Sequence, residues 1–359
     1  MASRGGALPR WLGAPLAALY ARIVAARNRR YDARRGVIEF DRPTVSVGNL
    51  SVGGTGKTPT VMHVLGVLAR EGLRGCVAMR GYGASPGESD EAAEYARAFP
   101  GVPVVARPDR VEGLIAMFAT EPGEGVGAIV LDDGFQHRRI ARDLDLVLID
   151  ATRDPFEDDL LPAGWLREPV SSLARAGAVL ITHTESAARG AVDAIKARVR
   201  EVNPGVLVAA CEHRWAGLRV CERGEDRQEP VAWLRGRAVV AACAIGNPGP
   251  FMAGVRGAAG REPASAMVLR DHHPFGRRAV ANLIERARSA SASAIVVTEK
   301  DWSKLARVPA DQWPCAVVRP ALTMGFVHAG TELDELIVRS VRARPYVPHA
   351  DGEAAGAPV

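Results

Sequence analysis

Apolar positions along the chain follow two rhythms. Near the start, Leu8, Trp11, Leu12, Leu16, Leu19, Tyr20 and Ile23 recur at helical spacing, and Arg27, Arg29, Arg30, Arg34 and Arg35 follow them. An apolar, aromatic face with an arginine-rich end suits an amphipathic helix in a membrane interface over residues 1–35; packing of that helix on the protein's own core is the competing reading. From Pro43 the rhythm changes to short β-rich runs alternating with helical stretches: VSVGN, then 57–70; CVAMR, then 89–98; VPVVA, then 109–119; AIVLDD (128–133); LDLVLID (144–150); and AGAVLITH, then 186–202. Such alternation predicts a parallel sheet with helices on both faces, and ligands that gather at the carboxyl ends of its strands.

Between 206 and 235 the alternation breaks into VLVAACEH and GLRVCER, separated by a short turn, and then the polar GEDRQEP, which reads as an extended ribbon or hinge. A second set of elements follows: AVVAACAIG, a helix from about 250, SAMVL, a helix over 276–289, SAIVVTEKD, CAVVRP and a last helix over 331–343. The chain is thus expected to be α/β, with a nucleotide-binding domain over 36–205, the ribbon over 206–235 and a smaller α/β domain over 236–344. The Pro/Gly/Ala-rich tail, 345–359, reads as disordered.

Composition changes this picture little. With 359 residues, 47% of them hydrophobic and 24% charged, the chain has the makings of roughly two globular domains. A net charge of +5 is mild for this length and does not predict a nucleic-acid partner. The five cysteines show no C-x-x-C spacing, which argues against a disulfide framework or a zinc site among them. No apolar run reaches the length of a transmembrane helix, and the arginines that follow the N-terminal apolar part do not suit a cleavable signal.

Candidate chemistry begins at SVGGTGKT, residues 51–58, between a β-run and a helical pattern. In a P-loop, G-x-x-x-x-G-K-[ST], backbone N–H groups wrap the phosphates, the lysine reaches the β- and γ-phosphates and the hydroxyl binds Mg²⁺. Ser51 stands in the first glycine's place, followed by Val52, Gly53, Gly54, Thr55, Gly56, Lys57 and Thr58. Lysine is otherwise confined to Lys196, Lys300 and Lys304 in a chain that uses arginine for its basic groups, so its presence in the loop is informative. AIVLDD has the form of a Walker-B strand whose terminal carboxylates hold Mg²⁺ directly or through water, with Gln136 and His137 at the same sheet edge.

SVGGTGKTP, MRGYG (79–83), SDE (89–91), LDDGFQHRR, LLPAGWLREP (160–169), DHHPF (271–275) and TEKD together resemble the tetraacyldisaccharide 4′-kinase (lipid A 4′-kinase) family, from about residue 8 to about 340. The resemblance implies an ATP- and Mg²⁺-dependent lipid kinase. Its acceptor is the 4′-hydroxyl of a tetraacylated glucosamine disaccharide 1-phosphate, the lipid A precursor, at the cytoplasmic face of the bacterial inner membrane. It gives the N-terminal helix the task of docking on that surface. Asp90 matches the family's catalytic aspartate and His272 its partner histidine, although neighbouring His273 fits the same slot. Thr58, Glu91, Asp132 and Asp133 form the candidate Mg²⁺ environment; Arg80, Arg110, His137 and Arg167 are candidate partners of substrate or transferring phosphoryl. Trp165 departs from the proline common in LLPAG-x-LREP.

Other readings remain. Asp90 also suits an N-cap for the helix after it. GGTGKT occurs in ATPase and GTPase switches, but Val52 stands where the deviant-Walker group carries lysine, and TEKD is the nearest approach to N-K-x-D. A membrane-docked nucleotide-binding module without lipid turnover is the third. TEKD itself suits either nucleotide contact or a helix start with an acidic cap. Asp90 and His272, if they face each other across a cleft, would complete the centre only when the two domains close.

Overall fold

The computed structural model describes residues 10–81, 90–271 and 273–346, with backbone only for 10–12, 90 and 91. Ten helices and twelve strands alternate along these residues. In chain order they are α1 (Arg10–Asp32), β1 (Thr44–Asn49), α2 (Lys57–Arg70), β2 (Gly75–Met79), α3 (Asp90–Ala98), β3 (Val104–Ala106), α4 (Arg110–Phe118), α5 (Glu121–Glu124), β4 (Ala128–Asp132), β5 (Leu144–Asp150), β6 (Ala178–Thr182), α6 (Ala191–Val202), β7 (Leu207–Glu222), β8 (Glu225–Glu229), β9 (Val239–Cys243), α7 (Pro248–Ala259), β10 (Ser265–Val268), α8 (Arg277–Ser289), β11 (Ala294–Val297), α9 (Glu299–Leu305), β12 (Ala316–His328) and α10 (Gly330–Arg342).

Strands β1, β2, β4, β5 and β6 are buried at every position, as strands covered by helices on both faces must be, and apart from β1, which buries Thr44, Ser46 and Asn49, their sequences are largely apolar for that reason. They lie parallel in the order β6-β5-β1-β4-β2-β3. Val64 and Leu68 of α2 cover one face, while Ile195 and Val199 of α6 and Val111 and Leu114 of α4 cover the other.

The second half does not form a separate sheet. Strands β10-β9-β11-β12 continue the same twelve-stranded sheet through β7, against which β12 runs antiparallel from Val317↔Cys221 to His328↔Ala210. VLVAACEH and GLRVCER are therefore one sixteen-residue strand, and the turn expected between them is replaced by a bulge in which Ala216 has no opposite residue in the Leu322↔Trp215, Ala321↔Gly217 register. One extra residue is absorbed without breaking the ladder. β12 likewise runs past CAVVRP to His328 and carries the chain back to the first half. There Leu333, Ile337 and Val341 of α10 bury against the α2 face, each contributing roughly 1.5–3 kcal/mol. The two halves are thus tied by one ribbon and one returning helix.

Among the smaller expectations, one differs. The helix foreseen over 186–202 starts at Ala191, after a short turn of helix at Thr184–Ser186. TEKD opens α9 as a helix start, but the cap is a threonine rather than an acid: Thr298 Oγ1 accepts from Asp301 N–H at 3.1 Å. The five cysteines are free thiols. Of the tail, residues 347–359 lie outside the described residues.

Candidate active site

The glycine loop joins β1 to α2 at the carboxyl edge of the sheet. Gly53 at φ 116° and Gly56 at φ 84° take up the left-handed backbone that lets a chain curl round an anion, which a side chain would resist. Gly56 caps α2, so the first N–H groups of that helix open onto the loop, where its dipole favours negative charge. Thr182 Oγ1 at the end of β6 donates to Thr55 O at 2.9 Å and anchors the loop from behind.

The LREP segment holds the loop's other edge. Ser51 bridges Leu166, Val52 N–H donates to Trp165 O at 2.9 Å, and Arg167 N–H donates to Leu50 O at 2.7 Å. This short antiparallel pairing brings Arg167 over the Walker-B strand. Its Nη1 donates to both oxygens of Asp133, at 2.9 and 2.7 Å. Lys57 Nζ lies 3.6 Å from Asp133 Oδ1 and 3.4 Å from Asn49 Oδ1. Burial opposes ionisation of Asp133, but Lys57, Arg167 and Arg110 outweigh it and hold the pKa at about 2. Asp133 is therefore a carboxylate at any physiological pH. Its backbone sits at φ 52°, uncommon for a residue with a side chain, and Arg110 Nη1 donates to its carbonyl at 3.2 Å.

Asp132 is buried, and Tyr95 of α3, itself fully buried, donates its hydroxyl to Asp132 Oδ2 at 2.9 Å. Gln136 Nε2 donates to Asn49 O at 2.9 Å, so the DDGFQH turn is tied to the strand before the loop. Burial, then Arg110, Arg142 and Arg139, lower the pKa of His137 to about 4, which leaves the ring neutral at pH 7. Arg80 is exposed just beyond β2. Asp90 and Glu91 open α3, but their side chains, like all of His272, lie outside the described residues. His273 Nδ1 accepts from Phe275 N–H at 3.0 Å.

From the second half, the β9–α7 turn lies directly on the loop: a Cβ built on Gly246 would sit 3.0 Å from Gly53 Cα and from Gly54 N. Asn247 Nδ2 donates to Asp150 Oδ2 at 2.7 Å, and Arg97 of α3 lies 3.8 Å from Glu299 of α9. The two halves therefore meet beside the glycine loop.

Helix α1 is fastened to this site. Tyr20 donates to Arg167 O at 2.9 Å, Asn28 Nδ2 to Glu168 Oε2 at 2.8 Å, and Arg138 bridges to Asp32 at 2.7 Å. Glu168, fully buried, also receives Arg175 at 2.9 Å and Ser172 at 3.0 Å. Leu16, Leu19 and Ile23 point outward, 45%, 56% and 59% exposed. The helix thus packs one face on the core and leaves an apolar face uncovered, and no described helix is long and apolar enough to cross a membrane.

A family model, tetraacyldisaccharide-1-P 4′-kinase, matches residues 9–340. The chain belongs to this family. Among curated relatives, the tetraacyldisaccharide 4′-kinase of Anaeromyxobacter dehalogenans strain 2CP-C is 37% identical over 84% of this chain and 84% of its own. That of Geobacter sulfurreducens is 35% identical over 84% and 86%. A solved structure of LpxK from Aquifex aeolicus in complex with ATP is 28% identical, covers 91% of this chain and 98% of its own, and superposes with a TM-score of 0.64. Family membership agrees with the motifs quoted above. Motif spacing does not single out Asn49, Tyr95 and Glu168; the only signal is their place beside a motif, Asn49 at the end of VSVGN and Glu168 inside LREP.

Proposed function

We propose that the chain transfers the γ-phosphate of ATP to the 4′-hydroxyl of a tetraacylated glucosamine disaccharide 1-phosphate in lipid A biosynthesis. The observation that carries this reading is the convergence of Lys57, Arg167 and Asp133 on one point beside a glycine loop, in a member of this kinase family. The left-handed glycines at 53 and 56 leave the cradle that a phosphate chain needs, and residues 51–58 hold the nucleotide. The oxygen donors Thr58, Asp132 and Asp133 suit Mg²⁺, with Glu91 as a further carboxylate. When bound, Mg²⁺ screens the charge of the phosphates.

Lys57 then exchanges its contact with Asp133 for the transferring phosphoryl, while Arg167 keeps Asp133 ionised and fixed. Asp90, at the first turn of α3, takes the proton of the sugar hydroxyl, with His272 as its partner from the second half. Arg110 and neutral His137 stabilise the Asp133 turn or meet substrate oxygens, and Arg80, exposed just beyond β2, meets the 1-phosphate. The outward face of α1, with Leu16, Leu19 and Ile23, docks on the cytoplasmic leaflet of the inner membrane and delivers the lipid to a site that the same helix touches through Tyr20 and Asn28.

The test is phosphate transfer from γ-labelled ATP to the solubilised tetraacyl disaccharide 1-phosphate. Labelled lipid from the intact chain and none from Asp90→Asn is the expected result. ATP hydrolysis without labelled lipid would give the chain to the switch or scaffold reading. Flotation with anionic vesicles tests docking: the triple change Leu16→Ser, Leu19→Ser, Ile23→Ser releases the protein, whereas unchanged flotation assigns the membrane to another surface.

A further inference from the structure

Behind the glycine loop, three ligand-type side chains meet that the phosphate chemistry does not use. His183 and Glu185 lie just past the end of β6, and His213 lies on β7. His183 Nδ1 and His213 Nδ1 are 3.1 Å apart, and His183 Nδ1 is 3.5 Å from Glu185 Oε1. The three ligand atoms all fall within 4.8 Å of one another. For a tetrahedral ion with bonds of about 2.0–2.1 Å, ligand atoms are separated by roughly 3.3 Å, so two of the edges already have the right length.

We propose that His183, Glu185 and His213 form a binding site for one divalent transition ion of the zinc class, separate from the Mg²⁺ of phosphate transfer.

Several independent features favour an ion here over a chance cluster. His183 is held at φ 56° and ψ 35°, a left-handed conformation costly for a residue with a side chain, and this aims its ring at His213. Glu185 is held in place because its Oε2 accepts the backbone N–H of His213 at 3.1 Å, leaving Oε1 toward His183. His₂Glu with a fourth position open is a nitrogen-and-oxygen set that suits zinc-class ions, whereas Mg²⁺ prefers oxygen alone.

The site also has a consequence for the loop. His213 Nε2 is buried with no hydrogen-bond partner, and a Cβ built on Gly56 would lie 3.1 Å from it. An ion on Nδ1 fixes the tautomer with the proton on Nε2, directly behind the phosphate cradle. Occupancy thus ties the β6 edge, β7 and the glycine loop into one unit.

The experiment uses the full chain, free of any affinity tag and of nucleotide, stripped with chelator and titrated with Co²⁺ in the presence of excess Mg²⁺. One Co²⁺ per chain is expected, with the visible absorption of a tetrahedral site, displaced by Zn²⁺ and accompanied by a rise in the unfolding temperature. Glu185→Gln, which keeps the size of the side chain and an acceptor for His213 N–H, should weaken binding by about tenfold or more, and His213→Ala should abolish it. Far-ultraviolet circular dichroism establishes that the variants fold. No Co²⁺ binding against Mg²⁺, or an octahedral spectrum, overturns the proposal and leaves a histidine pair that shares a proton. Binding that survives in folded His213→Ala overturns it equally.

Discussion

Replacing Tyr95 with phenylalanine removes one oxygen from the interior and leaves the ring in place. In the native chain that oxygen donates at 2.9 Å to Oδ2 of Asp132, between two residues that are 0% and 5% exposed. A buried hydrogen bond to a charged acceptor contributes about 1.5–3 kcal/mol, and Tyr95→Phe opens no cavity of consequence, so the stability loss should fall within that range. The second effect is on the ion. If Asp132 is a Mg²⁺ carboxylate, Tyr95 orients it, and loss of such an orienting bond typically costs 10–100-fold in metal affinity or activity. Urea unfolding reads the first effect; a Mg²⁺ titration of phosphate transfer at saturating ATP reads the second. A Mg²⁺ half-saturation unchanged from the parent, in a protein destabilised as expected, would refute the assignment of Asp132 to the ion and leave Tyr95 a packing residue.

Glu168→Ala removes the buried carboxylate shared by Asn28, Arg27, Arg175 and Ser172 and strands Arg175, so a loss of about 3–5 kcal/mol is expected in calorimetry; a loss below 1 kcal/mol would refute the buried-pair account. Gly56→Ala forces a side chain into φ 84° with its Cβ 2.8 Å from His213 Cε1, so ATP affinity measured by calorimetry should fall about tenfold, and unchanged affinity would mean that the loop relaxes freely. The pKa of His137 is lowered to about 4, so the unfolded chain takes up its proton near pH 6.5 while the folded one does not; stability should fall as pH drops from about 6.5 towards 4. His137→Gln should flatten that slope, with His213 retaining its own share, and an identical slope would show that His137 does not titrate in this window.

The nucleotide-binding half was legible in the sequence because its strands are buried on both faces: AIVLDD and LDLVLID are nearly unbroken apolar runs, and each ends at the edge where the loops must lie. GGTGKT was legible for a related reason, since glycines at 53 and 56 meet a backbone demand that few other residues satisfy. Local chemistry thus determined the parallel strands and the glycine loop. What it could not determine were pairings between distant segments. The long β7–β12 ribbon alternates exposed and half-buried positions through RWAG, where the string reads as a turn, and only the facing strand reveals a bulge. Tyr95 reaches Asp132 across 37 residues, and Asn28 reaches Glu168 across 140. Each of these polar side chains would be at home on a surface by residue type. Burial beside a particular partner, which only the closed tertiary structure supplies, turns them into fixed parts of the site, because a buried polar atom must be satisfied by whatever the fold brings to it.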